Sequence, residues 1–168
     1  MLRKTIQTRM NLEIVVTEEM LDFACQLQPN SCCIVPERRK EITTEYGLDV
    51  NTYKKSKLSK FLIQLNQFDI KSSLFVNADE NQISAEIDIG ASCIKIHTGI
   101  FALCIDNNQR GLEFERIKYG IHYCALQHGL EVHAGYGLDY DRVISIASLP
   151  LIKELNIGHV IISRAIFL

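Results

Sequence analysis

Six short apolar runs, each followed by helical spacing or the start of it, constrain this chain more than any other feature. The runs are MNLEIVV (10–16), SCCIV (31–35), IKSSLFV (70–76), SCIKIH (92–97), LEVHAG (130–135) and ELNIG (154–158). They are rich in Val, Ile, Phe and Cys, and most read as continuous rather than alternating. Parallel strands covered on both faces have that pattern. The intervening segments carry helix signals. Thr17 is placed to cap a helix over 17–28, with Glu18 and Glu19 at the positive end of its dipole. Residues 52–68 space Leu58, Phe61, Leu62 and Leu65 along one face. Residues 79–90 and 111–129 end in Gly90 and Gly129, and 141–149 runs up to Pro150. The alternation predicts an α/β fold with a parallel sheet. GHVIISRAIFL, after the last run, is short for a full covering helix.

No linker, repeat or low-complexity stretch divides the 168 residues, so one domain over 1–168 is expected. A net charge of −2 gives no electrostatic reason to expect nucleic acid or an anionic membrane as partner. No apolar run approaches the ~18 residues of a membrane span. MLRKTIQTRMN is basic but lacks the apolar core of a signal peptide, so a cytoplasmic location is expected. Cys25, Cys32, Cys33, Cys93, Cys104 and Cys124 show no CxxC spacing and mostly sit in apolar runs. They read as reduced, largely buried thiols, not as a metal site.

Two architectures fit: an open doubly wound sheet, or a (β/α)8 barrel with pieces missing. Both bind ligands at the carboxyl ends of the strands. Polar candidates gather there: Glu13, the segment from Glu37 to Thr44, His97 and Thr98, His133 to Gly137, and Gly158 with His159. No GxGxxG or P-loop pattern is present, which argues against a nucleotide site. LEVHAGYGLDY (130–140) is the most pointed stretch, because glycines on both sides of Tyr136 permit close approach or positive φ.

Taken together, MNLEIVVTEEML, CCIVPERRKEITTEYGLDV, SLFVNADENQI, IKIHTG, LEVHAGYGLDY and IASLPLIKELNIGHVIISRA resemble, in order and spacing, the pyridoxine 5'-phosphate synthase family. The resemblance implies a (β/α)8 TIM barrel of which this chain supplies strands three to eight, the first two strands being missing. It implies condensation of 3-amino-2-oxopropyl phosphate with 1-deoxy-D-xylulose 5-phosphate to pyridoxine 5'-phosphate, water and phosphate. No metal and no cofactor are implied, and the partners are phosphorylated small molecules.

The implied site can be placed residue by residue. Glu13 matches the catalytic glutamate, a proton acceptor. A carboxylate enclosed at a barrel mouth suits that role, since burial favours the proton-holding form. Thr43 matches a contact to the sugar phosphate. Gly137 falls in the substrate-binding loop. Gly158 and His159 match a pair that binds the amino-ketone phosphate, where a glycine opening a helical turn presents N–H groups to an anion.

Three positions depart from the family pattern. The loop of the family reads Asn-Ala-Gly-His-Gly, whereas this chain has His133 for the asparagine and Tyr136 for the proton-donating histidine. A phenol ionises near ~10 and an imidazole near ~6.5, so tyrosine is the poorer shuttle at neutral pH. Lys95 stands where the family has a stabilising glutamate, and is placed to bind phosphate or to pair with Glu13. The missing strands would carry further substrate contacts and another proton acceptor. Open edges at MNLEIVV and ELNIG predict a homo-oligomer or a complementing N-terminal fragment. The alternative to a synthase is a vestigial, inactive member that keeps at most a phosphate pocket.

Overall fold

A computed structural model of the protein describes residues 2–37, 47–50 and 55–168. Six parallel strands form one sheet in sequential order: β1 (Asn11–Ile14), β2 (Ser31–Ile34), β3 (Lys71–Val76), β4 (Cys93–His97), β5 (Glu131–Gly135) and β6 (Ile152–Asn156). Each pairs with the next, and β1 and β6 are the edges. All six expected strands are present. The last is shifted: β6 starts two residues before ELNIG, and Gly158 lies beyond its end.

Helices fill the connections: α1 (Leu2–Thr5), α2 (Glu18–Leu27), α3 (Lys55–Asn66), α4 (Glu80–Asp88), α5 (Gly99–Leu103), α6 (Asn107–His122), α7 (Arg142–Ala147) and α8 (His159–Ala165). Thr17 caps α2 as expected, its hydroxyl accepting from the Met20 N–H at 3.2 Å. Asp79 does the same for α4, accepting from Asn81 and Gln82. The helix expected from 111 begins earlier, at Asn107, because the Asp106 carboxylate accepts the Gln109 N–H at 2.8 Å. It runs into a π-helical turn, Tyr123–Gln127, before Gly129 at φ +67°. The short α1 and α5 had no periodic signal long enough to announce them. The tail, short for a full covering helix, forms the two-turn α8.

The strands alternate more than their composition suggests. Even-numbered residues, among them Cys32, Ile34, Leu74, Val76, Ile94, Ile96, Val132 and Ala134, face outward into the core beneath the helices. That core also holds Leu21, Leu58, Leu65, Ile83, Ile117 and Ile121. Odd-numbered residues of β1 to β5 share the other face, and this inner row is mostly polar or small: Glu13, Cys33, Ser73, Lys95, His97, His133 and Gly135. The reading of continuous apolar strands therefore misses a polar inner face, because Cys, Ser and Gly blur the alternation.

Curvature follows from one contact. The Lys95 ammonium of β4 lies 2.6 Å from the Glu13 carboxylate of β1. Two strands intervene, so a flat sheet would set these backbones roughly 14 Å apart with side chains standing parallel. The contact forms because the sheet curls into a half-barrel and brings its inner face round on itself. Among the described residues, no helix is long and apolar enough to cross a membrane.

Candidate active site

The inner face opens into a cleft of about 890 Å³. Glu13, Lys95, Tyr136, Gly137, Gly158 and His159 all line it, brought from β1, β4 and the ends of β5 and β6. Six of the seven expected site residues thus meet around one space. The seventh, Thr43, lies outside the described residues.

Lys95 is the most enclosed of the six. Its side chain is 5% exposed, whereas its partner Glu13 is 54% exposed. The ammonium also sits 4.7 Å from the centroid of the Phe75 ring, a cation–π contact. Of the two roles foreseen for Lys95, pairing with Glu13 is seen directly. The enclosed setting expected for Glu13 is not, since β1 is an edge strand and leaves its carboxylate half in solvent.

The loop after β5 answers why two glycines bracket Tyr136. A Cβ on Gly135 would meet the Asn156 carbonyl oxygen at 2.6 Å, so β6 packs directly against that glycine. Gly137 sits at φ +72°, and Tyr136 itself at φ +93°. A non-glycine residue there is strained by of order 1–3 kcal/mol unless its surroundings hold it. They do hold it. The Thr98 hydroxyl donates to the Tyr136 carbonyl at 2.7 Å, and the Thr98 N–H to the Gly135 carbonyl at 3.0 Å. The Tyr136 ring stacks on His97 with centroids 4.7 Å apart. His97 is pinned in turn, its Nδ1 accepting the Gly99 N–H at 3.2 Å. A Cβ on Gly99 would meet His97 at 2.4 Å and Tyr136 at 2.7 Å, so only glycine admits this stack. His97 and Thr98 therefore act as supports for the tyrosine loop.

His133 does not join the cleft lining. Its Nε2 contacts a Glu131 carboxylate oxygen at 2.8 Å, and Nδ1 lies 3.9 Å from Glu154. The second Glu131 oxygen pairs with the Lys71 ammonium at 2.5 Å. These partners hold the Glu131 carboxyl below the usual carboxylate range, Lys71 contributing most. Cys93 Sγ lies 3.5 Å from His133 Nε2. Cys93, Glu131 and His133 place their ligand atoms within 4.8 Å of one another, a grouping hidden from the sequence because it spans two strands. The Lys71 ammonium already supplies a cation beside it. Cys93 is a thiol whose pKa burial pushes up to about 12.

Sequence reasoning missed Phe75, Asp139 and Asn156, which also line the cleft. Inward parity of the strands would have found Phe75 and Asn156. At the start of α7 the Asp139 carboxylate accepts the Arg142 N–H at 2.7 Å. Those hydrogen bonds and the Arg142 guanidinium lower its pKa.

A curled, all-parallel α/β sheet with a cleft at its strand ends defines an α/β half-barrel protein. The sequence says which one: the chain belongs to the pyridoxal phosphate biosynthesis protein PdxJ family, whose model matches residues 1–168. It is 52% identical over 167 residues to the pyridoxine 5'-phosphate synthase of Blochmanniella pennsylvanica strain BPEN, covering 99% of this chain and 68% of that protein. The proteins of the same name from Blochmanniella floridana and Alcanivorax borkumensis are each 48% identical, over 99% and 98% of this chain and 67% of theirs. Among solved structures, the EAL domain of Mycobacterium smegmatis DcpA matches with a TM-score of 0.56 at 10% identity. That match covers 87% of this chain and 64% of the other, and concerns the fold alone.

Proposed function

We propose that the cleft carries out the pyridoxine 5'-phosphate synthase reaction, condensing 3-amino-2-oxopropyl phosphate with 1-deoxy-D-xylulose 5-phosphate. One observation carries the reading: Glu13, Lys95, Tyr136, Gly137, Gly158 and His159, distant in sequence, line one cleft. In this scheme Glu13 accepts protons, and its solvent-facing carboxylate exchanges them readily. Tyr136 donates a hydrogen bond from the place of the family's histidine, and Lys95 supplies positive charge beside a phosphorylated substrate. Gly137, Gly158 and His159 contact the substrates, and Thr43 would join them. No metal or cofactor takes part in the scheme.

The chain spans about two thirds of the length of its curated relatives. We propose that it acts as one folding unit, 1–168. Strands supplied at the β1 and β6 edges, from the same or another polypeptide, would close the sheet as a barrel. A second reading, a member without turnover, is favoured by the Glu13–Lys95 pair, which occupies the proposed base.

Product formation decides between the two readings. The chain is assayed alone and with the segment of the Blochmanniella pennsylvanica relative that it does not match. Pyridoxine 5'-phosphate from either preparation supports the synthase. A folded protein that yields none in both supports the second reading.

A further inference from the structure

Lys95 asks for a reason beyond charge balance. Enclosing an ammonium costs several kcal/mol that a salt bridge rarely repays in full, so an apolar residue on this inner face would stabilise at least as well. Among the described residues it is the one lysine lining the cleft. Phe75 covers it on one side, and Gly135 leaves room beside its stem, where a Cβ would lie 3.3 Å from the Lys95 Cε. The only carboxylate within ion-pair distance of it, among the described residues, is Glu13, at 2.6 Å and open to solvent.

From this geometry we infer that Lys95 is a nucleophile that forms an imine with the ketone of a phosphorylated ketose. The inference deepens the synthase reading and rests on it for the substrate class. Glu13 takes one proton from the ammonium, and the freed Nζ attacks the carbonyl carbon. The carbonyl electron pair moves to oxygen, which gains a second Lys95 proton and becomes a hydroxyl. Glu13 then returns its proton as that hydroxyl leaves as water and C=N forms. The balance is ammonium plus ketone to iminium plus water, with no oxidant or reductant. An iminium carbon is more electrophilic than the ketone, so the amine of the second substrate displaces lysine and regenerates it. Lysines desolvated in this way are a recurring choice for carbonyl chemistry.

The test treats the full chain with 1-deoxy-D-xylulose 5-phosphate alone in the presence of cyanoborohydride, and maps the reduced adduct by peptide mass spectrometry. The expected result is labelling of Lys95 at least roughly tenfold above any other lysine. Glu13→Gln should slow that labelling by about a hundredfold with an unchanged circular dichroism spectrum. Label spread evenly over surface lysines, or absent from Lys95, overturns the inference, and neither readout needs a variant to fold. Product formation from both substrates with Lys95 unlabelled removes the imine and keeps the synthase. Labelled Lys95 without product removes the synthase and keeps the imine.

Discussion

Two ion pairs sit on the same inner face, and they are built in different ways. Lys71–Glu131 is closed: one carboxylate oxygen takes the ammonium and the other takes His133, with Cys93 and Glu154 alongside. Lys95–Glu13 is open: the lysine is shut in while the carboxylate faces the cleft. A network whose members satisfy one another rigidifies the barrel interior and leaves little to offer a ligand. A pair with one partner in solvent can exchange protons and receive a substrate. What sets the proposed reactive pair apart is the unequal burial of its two partners.

The largest effect that would break this contrast comes from Gly135, which packs against both β6 and the Lys95 stem. Gly135→Val should cost about 3 kcal/mol in urea unfolding, because the new side chain meets the Asn156 carbonyl. A neutral result would mean that β5 and β6 are not packed as described.

Glu86 sharpens the comparison from the other side. It is fully buried in α4, and neither carboxylate oxygen has a hydrogen-bond partner among the described residues. Burial raises its pKa well above the usual carboxylate range. The folded state therefore holds a proton that the unfolded state releases, and stability falls as pH rises from the unfolded value towards the folded one. Glu86→Met should add about 2 kcal/mol at pH 8 and less at pH 5. Equal gains at both pH values would show that the acid is not buried as the fold requires.

The open pair should respond unequally to truncation. Glu13→Ala strands a buried ammonium and should cost about 1–2 kcal/mol, discounted because Glu13 is half in water. Lys95→Met leaves a carboxylate that can face solvent and should be neutral or stabilising by up to ~1 kcal/mol. Equal costs would make the pair an ordinary structural one. The smallest effect belongs to the closed pair. Glu131 has a depressed pKa, so its contribution is present above the unfolded carboxylate value and lost as pH falls through the folded one. Glu131→Gln should cost under ~1 kcal/mol at pH 7 and flatten the acid limb of the stability profile.

Much of this was legible in the sequence, for physical reasons. Helix caps are local, so Thr17 alone announced α2, and apolar runs bounded by polar turns announced every strand. The β6 boundary slipped because Ile152 and Lys153 follow Pro150 too closely to read as a run. The cleft residues were readable through the family motifs. Phe75 was not, and His97 and Thr98, though named at a strand end, gave no sign of their role as supports, which depends on Tyr136 after another strand. The Glu13–Lys95 pair could be named as one of two options but not chosen, because 82 residues separate the partners and only the curl of the sheet joins them. The strain at Tyr136 was hidden too: glycines on both sides signal freedom, not that the tyrosine itself would take a positive φ.

The central claim is that this cleft performs the condensation with Glu13 as base. Its most direct test measures pyridoxine 5'-phosphate formation by the wild-type chain and by Glu13→Gln, each with the complementing segment and both substrates. The account predicts product from the wild type and a rate at least about a hundredfold lower in the variant. Equal rates in the two proteins, or no product from a folded wild type, would contradict it.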